Sequence, residues 1–251
     1  MNPATALNRK LTTKDQIIVA LDVSTSDEAM SIVNELKNDV GAFKVGLQLF
    51  TSSGPDLVRK LVNAGSKIFL DLKFHDIPNT VAKASVEAAR LGVWMFNVHA
   101  FGGSEMMKRA SQAVGEACER EGLDSPHIIA VTVLTSSNNV TLNEIGVVAE
   151  IQPQVLKLAE LTAKCGLDGV VASPYEIEPI RTRIASEEFV IVTPGIRPES
   201  ATKDDQKRVM TPAEAVRVGA DHLVIGRPIT AASDRLKAVE DITREMEQGN
   251  A

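Results

Sequence analysis

Residues 67–80 read KIFLDLKFHDIPNT. An apolar run is followed at once by Asp71, Lys73 and Asp76, and then by Pro78. Side chains of a strand alternate between its two faces. Ile68, Leu70 and Leu72 therefore share one face, suited to packed helices. Phe69, Asp71 and Lys73 share the other. Charges at the end of a buried strand cost several kcal/mol unless they have partners or a task. Asp76, after the strand and before Pro78, suits the first turn of a helix.

Seven similar runs flank this one: IIVALDV (17–23), AFKVGLQ (42–48), WMFNVHA (94–100), IIAVTVL (128–134), GVVAS (169–173), FVIVTPG (189–195) and HLVIG (222–226). Near-continuous apolar strands belong to a sheet covered on both faces, hence a parallel one. Between them lie segments such as SDEAMSIVNELKND (26–39) and PQVLKLAELTAKCG (153–166). Their apolar residues recur at helical spacing. Ser26 suits an N-cap and Gly166 a C-terminal stop.

Eight strand–helix units in 251 residues match the period of an α/β fold, a single (β/α)8 TIM barrel. A doubly wound open sheet would normally carry G-x-G-x-x-G after its first strand, and ALDVSTSDE does not. No composition shift divides the chain. The expected organisation is one domain over 1–251, with a short lead-in at 1–15. The least regular stretches, 135–152 and 195–212, follow strands, where barrel enzymes place active-site loops.

The net charge of −6 removes the basic footprint of a nucleic-acid binder but leaves room for a local anion pocket. Cys118 and Cys165, both in helical patterns, read as reduced thiols. The N-terminal segment lacks the apolar core of a signal peptide. No apolar run reaches the ~18 residues of a membrane span. A cytoplasmic protein without a membrane partner is expected.

Barrel chemistry lies at the C-terminal strand ends. Those ends offer Asp22, Asp71, Lys73 and Thr135, with Lys44 on the second strand beside Asp71 and Lys73. Asp71 and Lys73 also fit an ion pair that merely closes the barrel end. The last strand runs into Gly226, Arg227 and Pro228. A glycine lets backbone N–H groups approach an anion, Arg supplies a fork suited to phosphate, and Pro fits the first position of a helix whose N-terminus favours anions. TPGIRPES after the seventh strand adds Gly195 and Arg197. Barrel phosphate sites frequently use these two loops. His75 and His99 lie near the mouth without metal-ligand spacing and read as local hydrogen-bonding residues. His127 and His222 precede strands and belong to the far end.

Together IIVALDV, FKVGLQLF, DLKFHDIPNT, AVTVLTS, VTPGIRP and HLVIGRPI resemble the orotidine 5′-phosphate decarboxylases of bacterial type, collinearly over nearly the whole chain. The D-x-K-x-x-D element is shared with a wider group of phosphosugar barrels, and the full ten-residue run with PGIRP and IGRP is more specific. The resemblance implies a homodimer that converts orotidine 5′-phosphate to UMP and CO2, the last step of de novo pyrimidine nucleotide synthesis, with neither metal nor organic cofactor. It implies Lys73 as proton donor. Lys44, Asp71 and Asp76 complete a charged network, with Asp76 reaching in from the partner subunit. Asp22 and Lys44 would contact the ribose, Thr80 the substrate across the interface, and Thr135 the pyrimidine. Arg197, Gln206, Gly226 and Arg227 would form the phosphate and closing-loop group, and Pro194 would also bind substrate.

The chemistry suits these residues. Loss of CO2 from C6 leaves negative charge on carbon with no cofactor to accept it. A fixed cation beside C6 offsets that charge and then delivers the proton. Two other readings share the fold: a metal-dependent sugar-phosphate decarboxylase or aldolase-like barrel, and a non-catalytic phospho-ligand binder. The binder would lack a lysine at position 73.

Overall fold

The eight apolar runs become β1 (Ile17–Ala20), β2 (Ala42–Gly46), β3 (Ile68–Phe74), β4 (Met95–His99), β5 (His127–Val131), β6 (Gly169–Val171), β7 (Val190–Thr193) and β8 (His222–Ile225). This computed structural model describes residues 11–198 and 210–249. The strands pair in chain order, all parallel, and β8 pairs with β1, so the sheet closes into a single (β/α)8 barrel. At the seam, Ile17 lies opposite Leu223.

Two cores explain why the strands read as continuous apolar runs. Ile18, Ala20, Phe69, Met95, Val192 and Val224 fill the barrel interior. Ile17, Val19, Phe43, Ile68, Leu70 and Phe96 face outward into a second core. Each strand thus buries both faces, and Phe69 points inward while Ile68 and Leu70 point outward, as the alternation requires.

The outer ring is α1 (Ser26–Leu36), α2 (Leu47–Asn63), α3 (Pro78–Arg90), α4 (Gly103–Glu121), α5 (Asn139–Glu144), α6 (Ile151–Lys164), α7 (Ile177–Arg183), α8 (Pro212–Arg217), α9 (Arg227–Thr230) and α10 (Arg235–Gly249). The α1 N-cap is Thr25 rather than Ser26. Its hydroxyl accepts the Glu28 N–H, and Ser26 is already helical. Gly166 follows α6 with φ 75°, the left-handed stop expected there. Leu47 and Gln48, read as strand, begin α2. The 135–152 stretch contains α5, whose first turn is capped by Asn138 Oδ1 accepting the Thr141 N–H at 3.0 Å. Both cysteines are buried and free. Among the described residues no helix is long and apolar enough to cross a membrane.

The N-terminal strand ends form the floor of the barrel. Trp94 meets His127 and His222 edge-on, with ring centroids 5.7 and 5.2 Å away, and the Lys67 ammonium lies 5.7 Å from its ring centre. His222 Nδ1 donates to the Asp15 carbonyl at 3.2 Å, a direction fixed because a carbonyl only accepts. Asp168 and Asp221, each just before a strand, accept the Ile128 and Ile191 N–H groups at 2.6 Å. Burial pushes both carboxyls above the ordinary aspartate range and pushes the His222 imidazole down to about 4.

Candidate active site

At the opposite end, residues from six strands converge on a pocket of about 330 Å3. That volume falls within the roughly 300–1,000 Å3 range of small-molecule sites. One wall carries Asp22, Lys44, Asp71 and Lys73. Phe69, Val131, Val133, Val171 and Val224 make the apolar lining. Pro194, Gly195, Arg197, Gly226 and Arg227 stand at the rim after β7 and β8. A wider groove of about 700 Å3 runs along α3 and α4, but it holds none of these charged strand-end groups.

Strand register places the charges. Lys44 lies opposite Ala20 on β1 and Phe69 on β3, so its stem occupies an inner layer. Its ammonium rises between two carboxylates, 3.3 Å from Asp22 Oδ1 and 3.3 Å from Asp71 Oδ2. Gly46 lies beside Asp71 in the register, and a Cβ there would stand 3.0 Å from Lys44 Nζ. The glycine leaves room for the ammonium. Lys73 Nζ lies 2.6 Å from Asp71 Oδ1. The result is an alternating row Asp22–Lys44–Asp71–Lys73. Its side chains are 60, 11, 13 and 31% exposed, so the row is most buried at its centre.

Asp71 is the hub. Burial raises its pKa, but Lys44, Lys73 and hydrogen bonds from Lys73 and Asn97 outweigh that and hold it below the ordinary aspartate value. It remains ionised at neutral pH.

β3 is not the uninterrupted strand that its alternation suggests. Leu70 faces Phe96 on β4, yet Phe74, not Leu72, faces Val98. A bulge therefore lies between Leu70 and Phe74. Within it Lys73 adopts φ 54°, the one positive φ outside glycine among the described residues. Such a conformation costs about 1–3 kcal/mol and persists only where surrounding structure imposes it. Asn97, fully buried on β4, imposes it. Its Oδ1 accepts the Lys73 backbone N–H at 2.7 Å, and its Nδ2 donates to Asp71 Oδ1 at 2.7 Å. Sequence reasoning passed over Asn97. The available signal was a polar residue at the inward position between Met95 and His99.

Other anticipated residues are placed as follows. Thr135 lines the pocket from the loop after β5 rather than from the strand itself. Arg197 N–H donates to the Met210 carbonyl at 3.0 Å, beside the Ile196–Met210 bridge. Gln206 lies outside the described residues. Pro228 is the second residue of α9, which spans only four residues, so its dipole adds little to anion binding there. Asp76 is exposed and precedes α3 instead of lying in its first turn. Its carboxylate accepts the Ile77 N–H at 2.6 Å, and within one chain it does not join the charged row. Thr80 is exposed in the first turn of α3.

His75 and His99 stack, with ring centroids 5.4 Å apart and planes at 26°. Among the described residues His99 Nδ1 has no hydrogen-bond partner. Burial chiefly, then His75 and Lys73, push its imidazole down to about 4. Among the described residues no three His, Cys, Asp or Glu gather as a metal site.

The whole arrangement has relatives. The family model described as Orotidine 5′-phosphate decarboxylase / HUMPS family matches residues 15–242. An orotidine 5′-phosphate decarboxylase of Geotalea uraniireducens is 52% identical over 231 residues, 92% of this chain and 95% of that protein. The one from Geobacter sulfurreducens is 52% identical over 236 residues, covering 94% and 98%. The crystal structure of the Lactobacillus acidophilus orotidine 5′-phosphate decarboxylase superposes with a TM-score of 0.80 at 41% identity, over 92% of this chain and 98% of that one. The charged row at the barrel mouth and these matches along nearly all its length agree: the chain belongs to the orotidine 5′-phosphate decarboxylase / HUMPS family.

Proposed function

We propose that this chain decarboxylates orotidine 5′-phosphate to UMP and CO2, in pyrimidine nucleotide synthesis. The observation that carries the reading is Lys73, held at 2.6 Å by an ionised Asp71 in the wall of a pocket whose rim carries Arg197 and Arg227.

The apolar lining formed by Phe69, Val131 and Val171 takes the pyrimidine, with Thr135 at its edge. Asp22 and Lys44 hold the ribose. Arg197, Gln206, Gly226 and Arg227 hold the phosphate, where Arg forms strong charge-assisted contacts, and Pro194 packs beside the substrate. C6 then faces the Asp71–Lys73 pair. As the C6–carboxylate bond breaks, its electron pair stays on C6 and CO2 leaves. The Lys73 ammonium offsets the developing charge and transfers one proton to C6, completing UMP. Asp71, fixed between two lysines, keeps that cation aimed. Its own charge also opposes the substrate carboxylate in the ground state, a smaller contribution. Binding energy from the remote phosphate orders the site. The reaction uses no metal or organic cofactor.

Asp76 and Thr80 lie exposed at the start of α3, outside the pocket of their own chain. In our reading they serve the partner's pocket in a cytoplasmic homodimer. A two-fold interface then completes two rows, each ending on an Asp76 from the other subunit.

The test is to mix purified protein with orotidine 5′-phosphate and a chelator and follow ultraviolet absorbance. Loss of the substrate band with UMP formed supports the proposal. No turnover overturns it. Turnover that the chelator abolishes overturns the metal-free reaction and favours the metal-dependent one.

A further inference from the structure

We infer that Asn97 is a positioning residue for proton delivery, acting through both Asp71 and Lys73 without touching substrate. This inference rests on the decarboxylase reading above.

Asn97 has no access to solvent and does not line the pocket. Its amide faces two groups of opposite demand. A backbone N–H can only donate and an ionised carboxylate can only accept, so Oδ1 must face Lys73 N and Nδ2 must face Asp71. One side chain on β4 therefore clasps two residues of β3 that lie on either side of Leu72.

Each half of the clasp has its own effect. The Oδ1 contact takes the N–H that the bulge removes from the strand ladder and holds Lys73 at φ 54°. That backbone conformation sets where the lysine stem starts. The Nδ2 contact fixes the Asp71 carboxylate, so that Oδ1 faces Lys73 and Oδ2 faces Lys44. Lys73 Nζ is thus aimed from both ends, at its backbone and at its charge partner. Proton transfer depends steeply on such aim, since a misplacement of about 1 Å can cost roughly 100-fold in rate.

The test compares Asn97→Ala, which removes both contacts, with Asn97→Asp. The second keeps the size and the acceptor for Lys73 N–H, and its carboxyl donates to Asp71 when protonated and repels it when ionised, so its effect depends on pH. Folded fraction is followed by circular dichroism, and kcat, KM and the affinity for UMP are measured per folded site. For Asn97→Ala we expect kcat to fall about 100-fold, and for Asn97→Asp a loss that grows as pH rises and its carboxyl ionises, with KM and UMP affinity within about threefold of the parent. The pH profile of kcat should also change in Asn97→Asp. A purely structural residue would lower the folded fraction and leave kcat per folded site unchanged, and parental kcat per folded site in Asn97→Ala overturns the inference. A parent protein that turns over no orotidine 5′-phosphate overturns the decarboxylase reading instead, so the two failures are distinct.

Discussion

At the floor of the barrel, Trp94 lies edge-on to His127 and His222 and beneath the Lys67 ammonium. At the mouth, Lys44 and Lys73 bracket Asp71. Both ends gather titratable groups on the same eight strands, and burial pushes toward neutrality at both. At the floor it prevails: Asp168, Asp221 and His222 are shifted toward their uncharged forms. At the mouth, opposite charges and the Asn97 amide reverse the sign for Asp71, which is held ionised. The difference teaches that burial alone does not mark a reactive site. What marks it is a set of partners that keeps charges in place against their desolvation.

The contrast breaks most sharply at Lys73. Lys73→Ala should lower turnover by about 1,000-fold or more while circular dichroism stays native, since a cation at the reacting carbon serves rate and not fold. A folded variant that keeps a tenth of parental activity would remove Lys73 as proton donor. Subunit exchange sharpens the point, because in our reading the mouth is shared between chains. Lys73→Ala mixed equally with Asp76→Ala should recover about a quarter of parental activity, as half the dimers are mixed and each has one intact site. No recovery after exchange is verified by mass would confine each site to one chain.

The floor should respond in stability rather than rate. Burial pushes the His222 ring down to about 4 in the fold, against about 6.5 for an exposed ring. As pH falls through that interval the unfolded chain takes up the proton first, so stability declines from pH 6.5 toward 4 and levels off below. The loss from this group is about 3 kcal/mol. His99 shares the window, and the two buried aspartates act in the opposite direction. The measurement is therefore a difference: parent minus His222→Gln in chemical denaturation at pH 7 and pH 4.5. Parallel pH dependence in the two proteins would dismiss His222 as a source of acid lability. The smallest effect is expected at the rim, where Arg227→Ala should raise KM about 10- to 100-fold with a lesser fall in kcat. Unchanged kinetics would move the phosphate elsewhere.

The barrel was legible because parallel strands with two buried faces leave continuous apolar runs, and eight such runs became eight strands. Their ends were less legible. The first run was read through Val23, but β1 stops at Ala20, because ladder pairing and not hydrophobicity decides where a strand ends. Asp71 and Lys73 were legible as a pair because alternation puts both on the inner face of β3, with Lys44 beside them, whereas Asp22 was legible only as the polar end of its run and its pairing with Lys44 is visible only in the structure. The β3 bulge was hidden, since its extra residues exist only relative to β4. Asn97 was hidden with it: a single amide in an apolar strand gains meaning only when its two partners are known. Thr25 and Ser26 both carry capping hydroxyls, which left a one-residue ambiguity at the start of α1.

The seam between β1 and β8 sets a condition on how the protein is made. Ile17 waits for Leu223, Asp15 for His222, and Glu35 for Arg235, which lies 200 residues further along and pairs with it at 2.9 Å. At ordinary rates of translation, about 5–20 residues per second, the first strand spends roughly 10–40 s without its closing neighbour. Throughout that interval β1 and the newest strand present unpaired N–H and C=O groups, a template for strands of other nascent chains. The sheet that has no edge when finished has two during synthesis, so ribosome-bound chains stalled before residue 222 should be the species that chaperones hold.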